Sequence, residues 1–232
     1  MGIQTRATIV SEGQLLAGRD DMATQANTWL QRWLDSVAAS WPWPQLHAEA
    51  VAVPLAAGTS PITVGGASPI TQKVLRILDN VWLYDTNRTF RQRVRIRHWL
   101  GSPVDRIGDT TNIGKPTAIR VTPTTTFGQW TLYFEPYPDT SYLLTMPYIF
   151  LPDPLTLDTQ IPWYPNDETM VQAVAFKVSE YHNGKDSPVT AAFQQQLAVM
   201  VSNDRVRYGS VNGINDSLIL NPAVFKPKRT DR

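Results

Sequence analysis

The sequence predicts an α+β fold: a four-helix body built from helices at both ends of the chain, a central antiparallel β-rich lobe, and an extended C-terminal arm. Three observations predict it. Apolar residues recur at three- and four-residue spacings near both ends, the middle changes to short β-branched and aromatic runs broken by Gly and Pro, and the last two dozen residues hold too few apolar groups to bury by themselves. The boundaries follow these changes. Residues 1–47 carry the first two helices, 48–153 the β lobe, 154–208 the last two helices and 209–232 the arm.

Along the chain, Ile3 to Ala17 is a helical segment ended by Gly18. From Met22 to Ser40 the residues Met22, Ala26, Trp29, Leu30, Trp33, Leu34 and Val37 form one apolar face, with Asp20 or Asp21 as the expected cap. Trp41-Pro42-Trp43-Pro44 stops this helix, because the residue before a proline is pushed out of the α region. The expected strands are Glu49 to Val53, Ile70 to Tyr84, Phe90 to Trp99, Thr117 to Thr122, Trp130 to Glu135 and Ser141 to Phe150. Asp85-Thr86-Asn87-Arg88 is turn chemistry, which predicts a hairpin between Val81–Tyr84 and Thr89–Ile96. Pro136, Pro138 and Asp139 predict a second one, joining Leu132-Tyr133-Phe134 to Tyr142-Leu143-Leu144.

After a Pro-rich connector, Met170, Val171, Val174, Ala175 and Val178 share a helical face behind Asn166 or Asp167 as cap. A further helix starts with Ser187 as cap and Pro188 at its first position, then runs through Ala192, Phe193, Gln196, Leu197, Met200 and Val201 to Arg207.

Composition limits the partners. The 232 residues are 42% apolar with 8 Trp and 8 Tyr, enough to fill a core and still supply contact surface. Net charge is +1, from 21 basic and 20 acidic residues, so an electrostatic partner has to be met locally. Without cysteine there are no disulfides and no thiolate metal sites. No stretch approaches the roughly 20 apolar residues of a membrane span, which reads as a soluble protein.

Motifs for catalysis are missing. His47, His98 and His182 lie far apart without ligand-like spacing, and there is no nucleophile elbow, phosphate-binding loop or dinucleotide fingerprint. Asp153 and Asp158 fall in Pro-rich loop. The expectation is a protein that is not an enzyme and carries no metal or cofactor. A hydrolase would need a cleft holding perturbed carboxylates, and a carbohydrate-binding or other tail-associated β module would set Trp130, Tyr133 and Tyr137 on one flat platform.

The most unusual run is Arg91-Gln92-Arg93-Val94-Arg95-Ile96-Arg97. On a strand it puts four guanidinium groups on one face and apolar groups on the other. Such a stripe suits acidic neighbours or phosphates; it equally suits a solvated face balanced by acids on adjacent strands. Trp41, Trp43, Trp163 and Tyr164, in Pro-rich loops, are read either as interface anchors or as a plug between helices and β lobe. In the arm, Leu218, Ile219, Leu220, Phe225, Lys226, Lys228 and Arg229 have no local core to join and are the expected partner-binding residues.

One resemblance runs across most of the chain. A helix ending in WLQRWLDSVAASWPWPQLHAEAVAV, a β insertion, the phrase FEPYPDTSYLLTMPY over Phe134 to Tyr148, and a final helix pair in WYPNDETMVQAVAFKVSEYHNGKDSPVTAAFQQQLAVMVSNDRVRYGS together resemble the head-to-tail adaptor, or neck, proteins of tailed bacteriophages. The likeness covers roughly residues 20 to 207. It implies a structural virion protein, assembled in the host cytoplasm, that forms a ring of typically twelve copies between the portal protein and the tail nozzle or tube. It also implies that the arm reaches the portal and that double-stranded DNA passes non-specifically through the ring, with Arg91, Arg93, Arg95 and Arg97 at a ring contact or on the channel wall. It implies no membrane partner.

Overall fold

The computed structural model describes residues 4–67, 69–87, 91–98 and 112–208, and over these the chain is α+β, with four helices and a large mixed sheet. Helix α1 (Arg6–Leu16) is capped by Thr5, and α2 (Ala23–Ser40) buries Ala26, Leu30, Leu34, Val37 and Ala38 along one stripe. Neither Asp20 nor Asp21 caps α2. Met22 holds the cap position, its N–H bonds to Gln14 Oε1 at 3.0 Å, and Asp21 is drawn instead onto Arg19 at 2.8 Å. Trp41 ends the helix in extended backbone, as its following proline requires, and a short 3-10 turn over Pro44–Leu46 leads into the sheet.

The strands are β1 (His47–Leu55), β2 (Ile62–Val64), β3 (Lys73–Ile77), β4 (Val81–Asp85), β5 (Arg91–His98), β6 (Ile113–Gly114), β7 (Ala118–Pro123), β8 (Trp130–Glu135), β9 (Tyr137–Pro138) and β10 (Tyr142–Leu151). Eight of them make one sheet in the order β1-β10-β4-β5-β7-β8-β2, with β3 also paired to β10. The expected lobe was antiparallel, whereas β5 and β7 run parallel, because the chain returns to the start of β5 before β7 begins. The β4–β5 hairpin forms as expected, with Trp82 opposite Arg93 and Tyr84 opposite Arg91.

The second expected hairpin does not form. β8 pairs with β7 and β2, while β10 lies between β1 on one side and β3 and β4 on the other. Both edges of β10 are therefore taken, and the Pro-rich segment after β8 is diverted into β9, which pairs with β6. The single expected strand from Ile70 to Tyr84 is two collinear pieces. Its break faces Pro147 of β10, whose carbonyl accepts from Leu78 N–H but which has no N–H to give back on that side.

β1 contains a bulge between Ala50 and Val53, with Ala52 at φ +61°. The extra residue reverses the alternation, so that Ala48 and Ala50 before it and Val53 and Leu55 after it all pack on the same core.

Helix α3 (Asp167–Asn183) is capped by Asn166, whose side chain accepts from Glu168 N–H at 3.2 Å. Its buried face is wide because α1, α2 and α4 (Pro188–Tyr208) all pack on it. Ser187 precedes α4 as expected, its carbonyl accepting from Ala191 N–H, with Pro188 first in the helix. The connector before α3 is tied to α1 and α2: Arg6 N–H bonds to the Gln160 carbonyl, the Arg6 guanidinium to the Leu155 carbonyl, and Leu155 N–H to Gln31 Oε1.

Two hydrophobic cores result. One fills the inner face of the sheet around Leu83, Val94, Leu132, Phe134, Leu144 and Met146; the other joins α1, α2 and α3 to the end of β10. Trp43 and Tyr164 are fully buried in the second, with edge-on ring contacts among Trp33, Trp43, Trp163 and Tyr164 at 5.0 to 6.1 Å. These aromatics plug the junction of helices and sheet; Trp41 and Trp163 are half-buried beside them. No helix among the described residues is long and apolar enough to cross a membrane.

Candidate functional site

The outer face of the sheet carries the arginine run. On β5, Arg91, Arg93 and Arg95 are exposed, while Val94 between them is 0% exposed in the core. Strand alternation brings this about: residues two apart point the same way, about 6.8 Å from one another. Arg97 continues the register opposite Arg120, and its side chain lies outside the described residues.

Cross-strand register then names the neighbours. β4 contributes Trp82 and Tyr84, β7 contributes Ala118 and Arg120, and β8 contributes Tyr133 and Glu135. The Arg91 guanidinium carbon sits 3.6 Å from the centre of the Trp82 ring, so one cation is held over a ring face. Arg120 bonds Glu135 at 2.6 Å, and that pair is half-buried and neutral as a unit. Among the described residues no ion pair involves Arg93 or Arg95. Asp85 belongs to the opposite parity of β4 from Trp82 and Tyr84, and so it does not face the stripe. Adjacent strands thus supply rings, an alanine and a pre-paired arginine where balancing acids would be needed for an ordinary solvated face.

Sequence reasoning found the arginines but not Trp82, Tyr84 or Arg120. Their signal was present as parity within the β4–β5 hairpin and was usable for the two rings. Arg120 required the parallel β5–β7 register, which no local pattern announces.

A second surface lies on α4. Its buried residues, Thr190, Leu197 and Asp204, recur every seven residues along a single narrow stripe against α3 and the connector. Of the apolar face expected there, only Leu197 is buried; Phe193, Met200 and Val201 are half-buried, and Ala192 and Gln196 are exposed. Val189, Val199 and Val206 point outward, Val206 at 79% exposure. A shallow hollow of about 380 Å3 lies over Pro188, Val189, Ala192, Phe193 and Gln196.

The buried stripe ends in a polar lock. Asp204, 3% exposed, accepts from Tyr164 Oη at 3.0 Å, Thr169 Oγ1 at 2.6 Å and Asn166 Nδ2 at 2.8 Å. Burial, with the Asp204 charge beside it, pushes the Tyr164 hydroxyl far above the ordinary phenol range.

The other candidates separate. Trp130 faces the inner core, its indole N–H bonded to the Val74 carbonyl at 2.7 Å, whereas Tyr133 lies on the outer face and Tyr137 in the small β6–β9 pair, so the three rings make no common platform. A hollow of about 300 Å3 beside Trp130 is lined by Val74, Leu75 and the loop from Pro123 to Gln129, with no carboxylate. His47 is half-buried at the start of β1, and burial lowers its pKa despite a bond to the Pro42 carbonyl. His182 approaches Arg19 at 3.4 Å at the far end of α3, and the His98 side chain lies outside the described residues. Among the described residues no three His, Asp or Glu side chains gather to hold a metal ion. Leu218, Ile219, Leu220, Phe225, Lys226, Lys228 and Arg229 of the arm also lie outside the described residues. No protein-family model matches the chain, and no curated protein sequence matches it.

Proposed function

We propose that the chain is a non-enzymatic structural subunit of a tailed-phage virion, a head-to-tail adaptor that assembles into a ring, typically of twelve copies, between portal and tail nozzle or tube. The observation that carries the reading is the outer side of α4. A 21-residue helix that buries one narrow stripe and turns Val189, Val199 and Val206 outward has apolar surface on two sides. Such a helix suits a site between two neighbours. In a closed ring, a heterologous contact with the next copy covers it.

The arrangement of elements supports the same reading. In this reading the first and last helix pairs, which meet through α1 against α3, form the helical body, and the phrase Phe134 to Tyr148 covers the end of β8, β9 and most of β10, the strand that ties sheet to helices. In this reading the arm from residue 209 onward reaches the portal and the subunit needs no cofactor.

The test is the mass of the purified chain, alone and mixed with the portal protein of the same phage. We expect ring-sized assemblies with portal, lost in Val199→Glu with Val206→Glu while the variant keeps the far-ultraviolet circular dichroism of the wild type. A wild-type chain that stays monomeric with portal, or a double variant that assembles as well as wild type, refutes the reading.

A further inference from the structure

We propose that the outer face of β4, β5 and β7 binds the phosphate backbone of double-stranded DNA, with Arg91, Arg93 and Arg95 as the contacts. The choice of a double helix rests on the adaptor reading above; the polyanionic chemistry rests on the face itself.

Three guanidinium groups on alternate residues of one strand form a straight line of charge with steps of about 6.8 Å. Successive phosphates of one DNA strand rise about 3.4 Å along the axis and are also turned around it, so their spacing along the backbone is wider than the rise and each arginine, on its long side chain, can meet its own phosphate. The flanks are built for an anion. Trp82 lies under the Arg91 guanidinium, 3.6 Å from ring centre to guanidinium carbon, and a guanidinium held on a ring face can still offer its edge to phosphate oxygens. Ala118 opposite Arg95 brings no charge of its own, and Arg120 is already neutralised by Glu135, so it neither repels nor competes.

An acidic patch on a sister copy is the competing occupant. Exposed acids such as Asp153, Asp158 and Asp186 could supply such a patch, and the assembly measurements below separate that occupant from DNA. Gln92, the amide that could read a base edge from this strand, points to the opposite side. The contact is therefore with backbone, and it is indifferent to sequence.

The experiment uses the full chain and a fluorescein-labelled duplex of arbitrary sequence, about three turns long, with anisotropy read from about 50 to about 200 mM salt. Wild type should bind two unrelated duplexes equally. Arg93→Glu with Arg95→Glu should lose at least about tenfold in affinity, and its plot of log affinity against log salt should flatten by about 2, the share of two phosphate contacts. Arg93→Lys with Arg95→Lys should retain most of the binding. No wild-type binding at the lowest salt, or a charge-reversed variant with unchanged affinity and slope, overturns the proposal. Masses measured on the same samples keep the two readings apart. A charge-reversed variant that binds DNA normally but no longer assembles with portal makes the stripe a subunit contact, sinking this proposal and sparing the adaptor reading. Lost DNA binding in a chain that never assembles does the reverse.

Discussion

Replacing Asp204 by alanine removes the acceptor that ties the end of α4 to the start of α3. Three donors lose their partner at once: the Tyr164 and Thr169 hydroxyls, both fully buried, and the Asn166 amide. Each buried donor left unpaired costs about 1–3 kcal/mol. Thr169 has an escape, since a helical threonine can turn its hydroxyl to a carbonyl of the preceding turn. Tyr164 is wedged among Trp33, Trp43 and Trp163 and cannot swing out. Removing a buried charge also relieves its desolvation, which offsets part of the loss, so we expect a net destabilisation of about 3 kcal/mol.

Asp204→Asn sharpens the test. Its oxygen can still serve Tyr164 and Thr169, but its amide then meets the Asn166 amide, donor against donor. Asn166 cannot flip to help, because its carbonyl oxygen caps α3 through Glu168 N–H. The asparagine variant should therefore lose about 1–2 kcal/mol, between wild type and alanine. Urea unfolding followed by tryptophan emission is the assay, since Trp43 and Trp163 lie against Tyr164. With a slope of about 2–3 kcal/mol per molar urea, the alanine variant's midpoint should fall by about 1 M. A midpoint within about 0.2 M of wild type for alanine would refute the reasoning.

Gly13→Ala places a methyl 2.6 Å from Val174 Cβ and 2.9 Å from the Val171 carbonyl oxygen, where α1 crosses α3. Overpacking of this kind costs about 1–3 kcal/mol, more than the roughly 1 kcal/mol that alanine gains as a helix former. Chemical denaturation should show a net loss; a more stable variant would contradict the close crossing. For His47, burial holds the folded-state pKa below the unfolded value of about 6.5, so its contribution is intact above that pH and is lost as pH falls and the unfolded chain takes up the proton. Melting temperature should drop between about pH 7 and pH 5.5 less steeply in His47→Gln than in wild type, and parallel curves would remove His47 from the pH response.

The sequence by itself determined the four helices, a cap for α3 at Asn166 or Asp167, the start of α4 at Pro188, the β4–β5 hairpin and the alternation of the arginine strand. Each of these is written in residues close together along the chain: a periodicity, a capping side chain, a fixed φ, or a turn between two alternating runs. Alternation states which residues share a face; it does not say which strand will lie alongside. The partners of β10, the parallel pairing of β5 with β7, the placing of β8 away from β10, and the meeting of Arg120 with the arginine stripe were decided by long-range pairing. The same holds for burial. Asp204 reads as a polar residue near the end of a helix and becomes an inner anchor only because α4 packs on α3. Ala192 and Gln196 read as part of the apolar face and remain outside because the stripe of α4 that α3 covers is narrow, running through Thr190, Leu197 and Asp204. Local chemistry fixes a segment's shape and its two-sidedness; only the competition of all segments for one another's surfaces fixes what each side meets.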